Sequence, residues 1–228
     1  MISILCPTKY RPDGLRAMWD SALETSSVEL ELVLYVDEYD QLTLKVVPTL
    51  GGSVKLIVGD GTEIYSNLHN ICCEESSHDL FMGAADDIIF RTPGWDTLII
   101  EKFSTLPDKI GYIYPDDGHN GEKLGTHGFF HKNWFRTLGY IAPPIFTVDY
   151  SDNYIMDVAK GVNRCIYVPE VLVEHMHWTF NKSKFDRTAQ IAHQKRTTTN
   201  NSQIYSDSQD LINRDIGKLN ESILLSRG

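Results

Sequence analysis

Residues 78–95 read HDLFMGAADDIIFRTPGW, and the rest of the chain is organised around this stretch. Residues 80–82 form a short apolar run, which is typical of a buried strand. Asp86 and Asp87 follow this run, and the sequence then becomes apolar again. Two adjacent carboxylates in an apolar context are costly unless they are paired, hydrogen-bonded or bound to a cation. The stretch therefore favours a metal site at the end of a buried strand, although a turn cap beside a solvated carboxylate also fits the pair.

Strand, turn and helix signals alternate on the N-terminal side of this stretch. Apolar runs at residues 2–6, 30–36 and 54–58 are each followed by a polar loop, and helix-like periodicity comes after each loop. This repeated order predicts an α/β sheet with parallel strands. Ligands bind beyond the carboxyl ends of the strands in such sheets. The loops after these strands and the Asp86-Asp87 pair are therefore expected to meet at one edge.

Several residues predict where helices begin and how they are capped. Asp13 is the expected N-cap of the first helix, and Pro93 is expected at the first position of the helix after the aspartates. A further short helix is predicted over residues 151–160, with either Asp149 or Ser151 as its N-cap. Each of these predictions depends on the local sequence alone.

Composition and charge narrow the class of protein. The chain has 228 residues, of which 42% are hydrophobic and 23% are charged, as in an ordinary soluble domain. Its net charge of −10 argues against a broad electrostatic grip on nucleic acid, although a local basic groove is compatible with it. No apolar run is long enough to span a membrane, and we expect no signal peptide at the N-terminus. The four cysteines lack Cys-x-x-Cys spacing, which favours free thiols and a cytoplasmic location.

The composition changes after Trp178. Residues 181–201 are polar, and the final segment then carries apolar residues at helical spacing. We therefore predict a main domain over residues 1–181. A helical extension over residues 182–228 is expected to pack on that domain or on a partner.

Four short segments occur in the order and spacing of a known family. They lie at residues 4–12 (ILCPTKYRP), 36–37 (VD), 84–87 (AADD) and 93–95 (PGW). On these segments the chain resembles GT-A-fold glycosyltransferases, close to the inverting family 2 enzymes and especially to small versions encoded by phages and large viruses. The resemblance implies a mixed Rossmann-like α/β sheet flanked by helices, with a C-terminal helical extension. A viral origin would place the protein in the host cytoplasm.

The same resemblance implies metal-dependent, inverting transfer of a hexosyl or pentosyl group. The donor would be a nucleotide-diphosphate sugar, with a UDP-sugar favoured, and the acceptor would offer a hydroxyl group. The residues that the resemblance assigns to the donor are Pro7, Thr8, Lys9, Arg11, Asp37, Tyr65, Asn67 and Asp86. The acceptor stays open between a modified base in viral DNA, a glycan and a capsid protein.

The chemistry of such a reaction requires a cation. The departing diphosphate develops negative charge, which a divalent ion held by carboxylates can stabilise. Mg²⁺ prefers oxygen ligands, whereas Mn²⁺ also accepts imidazole, so either ion is a candidate cofactor. The candidate ligands are Asp86, Asp87, His175 and His177. His127 lies in the acceptor half and is interpreted as structural, with a position near the sugar as the alternative. Ala84 stands where the family usually has the first aspartate of its metal motif.

The two candidate histidines follow predicted strands over residues 165–168 and 171–173. His175 and His177 are two residues apart, so on an extended segment they would face the same way. One or both of them could therefore bind the metal, and an exposed strand end without a ligand role fits the same residues.

An inverting transfer also requires a general base that accepts the proton of the acceptor hydroxyl. The family places this acid at the start of a helix after the acceptor-side loop. Asp152 is the first choice for this role and Asp149 the second. Two other functions compete with this interpretation: a catalytically silent nucleotide-sugar-binding module and a nucleotidyltransferase. The latter usually has a glycine-rich loop after its first strand, which residues 7–10 (PTKY) do not provide.

Overall fold

The computed structural model of the protein describes residues 1–226, which form one mixed sheet with helices on both faces. The strands are β1 (Ile2–Thr8), β2 (Leu30–Asp37), β3 (Ser53–Gly59), β4 (Leu80–Gly83), β5 (Ile88–Phe90), β6 (Tyr112–Asp116), β7 (Phe129–His131) and β8 (Cys165–His175). The helices are α1 (Pro12–Thr25), α2 (Gln41–Val46), α3 (Tyr65–Glu75), α4 (Trp95–Ser104), α5 (Lys132–Leu138), α6 (Ser151–Gly161), α7 (Arg187–Thr198), α8 (Asn201–Asp207) and α9 (Gln209–Leu225).

The strand order of the sheet is β3-β2-β1-β4-β7-β6-β8-β5. Strands β1 to β4 are parallel, as the repeated strand–helix pattern predicted. Strand β7 then runs antiparallel to both β4 and β6, and β5 runs antiparallel to β8. The predicted class, a mixed α/β sheet flanked by helices, is therefore confirmed.

Two apolar layers cover the two faces of the sheet. Trp19 of α1 and Trp95 of α4 are fully buried in one layer. Trp134 of α5 and Leu219 of α9 are fully buried in the other, together with residues of α3 and α6. The polar edge at the ends of β1, β2 and β4 lies between these layers. No helix within residues 1–226 is both long and apolar enough to cross a membrane.

Two predicted helix starts and one predicted cap are wrong, whereas the helix predicted from residue 151 does begin at Ser151. Helix α1 follows Arg11 and has no side-chain cap, so Asp13 lies inside its first turn. Helix α4 begins at Trp95, because Gly94 adopts a left-handed φ of 72° and donates its N–H to the carbonyl of Thr25. Helix α6 follows Tyr150, so neither predicted residue caps it. Contacts distant in sequence decide the second boundary, which local sequence could not reveal.

The two strands predicted near residue 170 form the single strand β8. It pairs in parallel with β6 as far as Val168, and after a register shift Leu172 pairs with Asp116. Beyond this shift β8 also pairs with the short strand β5, which places His175 opposite Ile88. The shift therefore positions His175 next to Asp87.

The turn that carries the aspartates lies very close to α1. A Cβ atom at Gly14 would lie only 2.5 Å from the main-chain oxygen of Asp86. Real Cβ contacts of this length do not occur, so only glycine lets the helix and the turn approach this closely. The start of α1 thereby fixes the position of the carboxylates.

A buried carboxylate attaches α9 to the main sheet. Asp215 is fully buried and accepts hydrogen bonds from the hydroxyls of Tyr140 (2.6 Å) and Tyr154 (2.7 Å), and it pairs with Arg214 (2.9 Å). We expect Asp215→Ala to lower the free energy of unfolding by about 2–4 kcal/mol, because it leaves buried donors without an acceptor. Urea denaturation of this variant and of Asp210→Ala, an exposed position on α9, measures the effect. Equal stability of the two variants would contradict it.

Candidate active site

A cavity of about 220 Å³ opens at the edge where β1 and β2 end. The candidate donor and metal residues that line it are Pro7, Thr8, Lys9, Arg11, Asp37, Tyr65, Asp86, Asp87 and His177. Asn67 does not line the cavity, and its side-chain amide donates to Oε2 of Glu63, which does, at 2.9 Å. The other wall is formed by α7 through Thr188, Ala189, Ala192 and Lys195. The loops that were expected to converge do so here.

Arg11 lies between three carboxylates in this cavity. Its Nη1 donates to Asp86 Oδ1 at 3.0 Å and to Asp87 Oδ2 at 2.9 Å. Its other face donates to both oxygens of Asp186, at 2.7 and 3.2 Å. Thr8 donates to the second oxygen of Asp86 at 2.7 Å. Both oxygens of Asp86 are therefore already engaged by protein donors.

The two neighbouring aspartates differ in their affinity for protons. Burial and the adjacent charge of Asp87 raise the pKa of Asp86 to about 6, against the opposing effect of Arg11. For Asp87, burial acts in the same direction, but the hydrogen bond and charge of His175, together with Arg11, hold its pKa below the ordinary range. Asp87 is therefore the carboxylate of the pair that stays anionic, and its Oδ1, which Arg11 does not engage, lies 3.5 Å from the Nε2 of His175.

Two histidines complete a candidate metal centre with Asp87. Asp87, His127 and His175 each offer a ligand atom, and these atoms lie within 4.8 Å of one another. The Nε2 of His127 and the Nδ1 of His175 are buried and have no hydrogen-bond partner among residues 1–226, which is unusual for buried polar atoms. Burial first, and then the neighbouring His175, lower the pKa of His127 to about 3, so its ring is neutral. Two imidazole rings and a carboxylate suit a transition metal such as Mn²⁺.

The remaining candidate ligands lie near this group but outside it. The Nδ1 of His177 contacts the hydroxyl of Thr179 at 2.7 Å and caps the turn that follows β8. Asp86 faces Thr8 and Arg11. The structure thus brings two of the predicted ligands, Asp87 and His175, together with His127. From the sequence, His127 was interpreted as a structural residue.

Asp152 lies in the first turn of α6 and lines a small hollow of about 40 Å³ beside this centre. The hollow is also lined by Ser66, His69, Thr126 and His127. Burial raises the pKa of Asp152 to about 7, although the charge of His175 opposes the shift. A carboxylate that exchanges its proton near neutral pH is suited to general base catalysis.

Asp149 and Asp152 have different surroundings. Both oxygens of Asp149 accept hydrogen bonds from Arg196 of α7, at 2.8 and 2.9 Å. Burial, followed by the charges of Asp152, Asp87 and Asp149, raises the pKa of Tyr65. The hydroxyl of Tyr65 is therefore close enough to Asp149, Asp152 and Asp87 for their negative charges to act on it.

No protein-family model matches the chain, and no curated protein matches it. Solved structures of glycosyltransferases share its fold. One is the mannosyltransferase PcManGT from Pyrobaculum calidifontis in complex with GDP-Man and Mn²⁺, with a TM-score of 0.64 and 14% identity over 77% of this chain and 57% of that chain.

Two further structures are of S. aureus TarS 1–349. The complex with UDP has a TM-score of 0.57 and 12% identity over 75% of this chain and 59% of that chain. The complex with UDP-GlcNAc has a TM-score of 0.56 and 13% identity over 75% of this chain and 57% of that chain. The chain thus spans a little over half the length of these solved chains, and at such identities the likeness establishes the fold.

Proposed function

We propose that the protein is a metal-dependent inverting glycosyltransferase that uses a nucleotide-diphosphate sugar. The observation that carries this proposal is the position of Asp87, His127 and His175, with two unpartnered ring nitrogens, next to a cavity lined by the donor-binding segments. The shared fold supports it, since PcManGT was solved with GDP-Man and Mn²⁺ and TarS with UDP-GlcNAc.

The charges of the cavity explain why a metal is needed. The charged residues that line it are Asp37, Glu63, Asp86, Asp87, Lys9, Arg11 and Lys195. The acids outnumber the bases, and Lys9 is already paired with Asp37 at 2.7 Å. The cavity therefore has no excess positive charge to offset a diphosphate. A bound Mn²⁺ or Mg²⁺ would supply that charge and stabilise the leaving group.

The residues of the chain have distinct roles in the proposed transfer. Asp37 can accept a hydrogen bond from the N3–H of a uracil base, and we propose a UDP-sugar as the donor. Asp152 accepts the proton of the acceptor hydroxyl while the oxygen of that hydroxyl forms a bond to C1 of the sugar. The bond between C1 and the diphosphate oxygen breaks on the opposite side, and the nucleoside diphosphate leaves with the electron pair. A single displacement of this kind inverts the configuration at C1.

Calorimetric titration with UDP, in the presence and absence of Mn²⁺, tests the binding half of the proposal. We expect Mn²⁺ to strengthen UDP binding by at least about tenfold, or about 1.4 kcal/mol. A UDP-release assay with UDP-glucose and UDP-GlcNAc then tests the chemistry. Binding without any release of UDP would support the silent module instead, and metal-independent binding would contradict the assignment of the metal centre.

A further inference from the structure

Helix α7 forms one wall of the donor cavity, although it lies in the predicted helical extension. The residues of α7 that line the cavity are Thr188, Ala189, Ala192 and Lys195. They are separated by one, three and three positions, which places them on one face of the helix. The two alanines take up little of the cavity, and Lys195 is the charged residue of this face. The helix therefore presents one amino group to a ligand in the cavity.

The amino group of Lys195 is not engaged by the part of the chain that the structure describes. Within residues 1–226 it forms neither an ion pair nor a side-chain hydrogen bond. The other lysine and arginine of the lining are both committed to carboxylates. Lys9 pairs with Asp37 at 2.7 Å, and Arg11 bridges three aspartates at 2.7–3.0 Å. Lys195 is thus the basic residue of the lining that can offer its charge to a ligand.

The surroundings of Lys195 disfavour its charge as long as no anion is bound. Partial burial lowers the pKa of its amino group, and the charge of Lys9 lowers it further, while the charge of Asp37 opposes the shift. Asp37 is already paired with Lys9, so it offsets only part of the repulsion between the two ammonium groups. A bound anion would remove that repulsion. This end of the cavity therefore favours a negatively charged group.

The order of the groups in the proposed donor identifies this anion. The base is assigned to Asp37 and the metal to Asp87, so the donor runs from the first residue towards the second. Its α-phosphate, which follows the nucleoside, then lies nearer to Asp37, and its β-phosphate lies nearer to the metal. The charges that act on Lys195 are those of Lys9 and Asp37. Lys195 therefore lies at the nucleoside end, where the α-phosphate is expected.

We propose that Lys195 binds the α-phosphate of the donor, so that helix α7 completes the donor site. This inference rests on the proposed glycosyltransferase function and adds a binding residue to it. The ammonium group donates charge-assisted hydrogen bonds to the phosphate oxygens. The metal group holds the other end of the diphosphate. The contact with Lys195 does not pass through the metal, so it contributes to the binding of a nucleoside monophosphate as well.

Lys195→Met tests this inference, because it removes the charge and keeps an unbranched side chain. Lys195 is exposed, so the variant should fold. Lys184→Met is a matched control, since Lys184 is also exposed, belongs to the same extension and does not line the cavity. Lys195→Arg keeps the charge and serves as the conservative variant. The probes are uridine, UMP and UDP, and their affinities are measured by calorimetry and ligand-observed NMR in the presence of Mn²⁺.

We expect Lys195→Met to lose at least about tenfold in affinity for both UMP and UDP and to bind uridine as the wild type does. Lys195→Arg should lose less, and Lys184→Met should match the wild type. Unchanged UMP binding in Lys195→Met would overturn the inference. So would an equal loss for uridine, which would assign Lys195 to the nucleoside, or a loss confined to UDP, which would assign it to the β-phosphate. Failure of the wild type to bind UDP would instead contradict the proposed function itself.

Discussion

Replacement of Asp87 by alanine should abolish Mn²⁺-dependent binding of UDP. Asp87 is the carboxylate of the metal group, and His127 and His175 cannot neutralise a divalent ion without it. Loss of the partners that merely orient a metal ligand already costs about 10–100-fold in affinity. We therefore expect at least about a 100-fold loss of Mn²⁺ affinity, measured by calorimetry or by the electron paramagnetic resonance signal of free Mn²⁺.

Two further variants sharpen this experiment. Asp86→Ala removes a carboxylate that Thr8 and Arg11 already engage, so it should weaken Mn²⁺ binding less than Asp87→Ala does. Asp79→Ala, an exposed position just before β4, serves as the control for a lost surface carboxylate. If Asp86→Ala causes the greater loss, the metal group has been assigned to the wrong aspartate.

Asp152→Asn should lower the rate of transfer by about 10²–10⁴-fold, which is the usual contribution of a positioned base. Donor affinity should change little, because Asp152 lies on the acceptor side of the site. Asp149→Asn weakens the ion pair with Arg196 and should cost less. Single-turnover transfer and UDP affinity, measured for both variants, separate these roles. Near-normal transfer by Asp152→Asn together with a large loss in Asp149→Asn would exchange the two assignments.

The role of Asp152 as the general base also predicts that the transfer rate depends on pH. Because burial raises the pKa of Asp152 to about 7, its basic form is lost as the pH falls through that value, and the transfer rate should fall with it. The charged and titratable groups that face Asp152 are His175, Asp149, Asp117, His127 and His69. Measurement of UDP–Mn²⁺ affinity over the same pH range shows whether metal binding contributes. In Asp152→Asn the fall near pH 7 should disappear; its persistence would argue for another base.

The parallel half of the sheet could be predicted from the sequence because its signals are local. The apolar runs of β1, β2 and β3 and the loops after them are contiguous, and parallel pairing brings the loops together. The start of α4 was predicted wrongly because the position of Gly94 depends on the carbonyl of Thr25. The same reason explains why β8 was divided in two, since its register shift is set by its partner β6.

His127 is the clearest residue that sequence reasoning missed. Strand β7 pairs antiparallel with β4, and the N–H of Gly83 donates to the carbonyl of Gly128. This pairing brings His127, the residue before Gly128, close to Asp87. Nothing in the local sequence predicts that pairing. The contribution of α7 to the donor cavity was missed for the same reason, although the sequence did place a helical extension there. The position of the domain boundary near residue 182 stays a prediction.

The way α7 is held has a consequence for work at different ionic strengths. Only Ala189 of this helix is buried, and two of the contacts that attach it are the partly exposed Arg11–Asp186 and Arg196–Asp149 ion pairs. The Debye length falls from about 8 Å at physiological salt to about 3 Å at 1 M, so partly exposed pairs of this kind weaken. The buried Asp215 contacts of α9 are shielded from that change. Concentrated salt should therefore loosen one wall of the donor cavity while the rest of the fold stays intact.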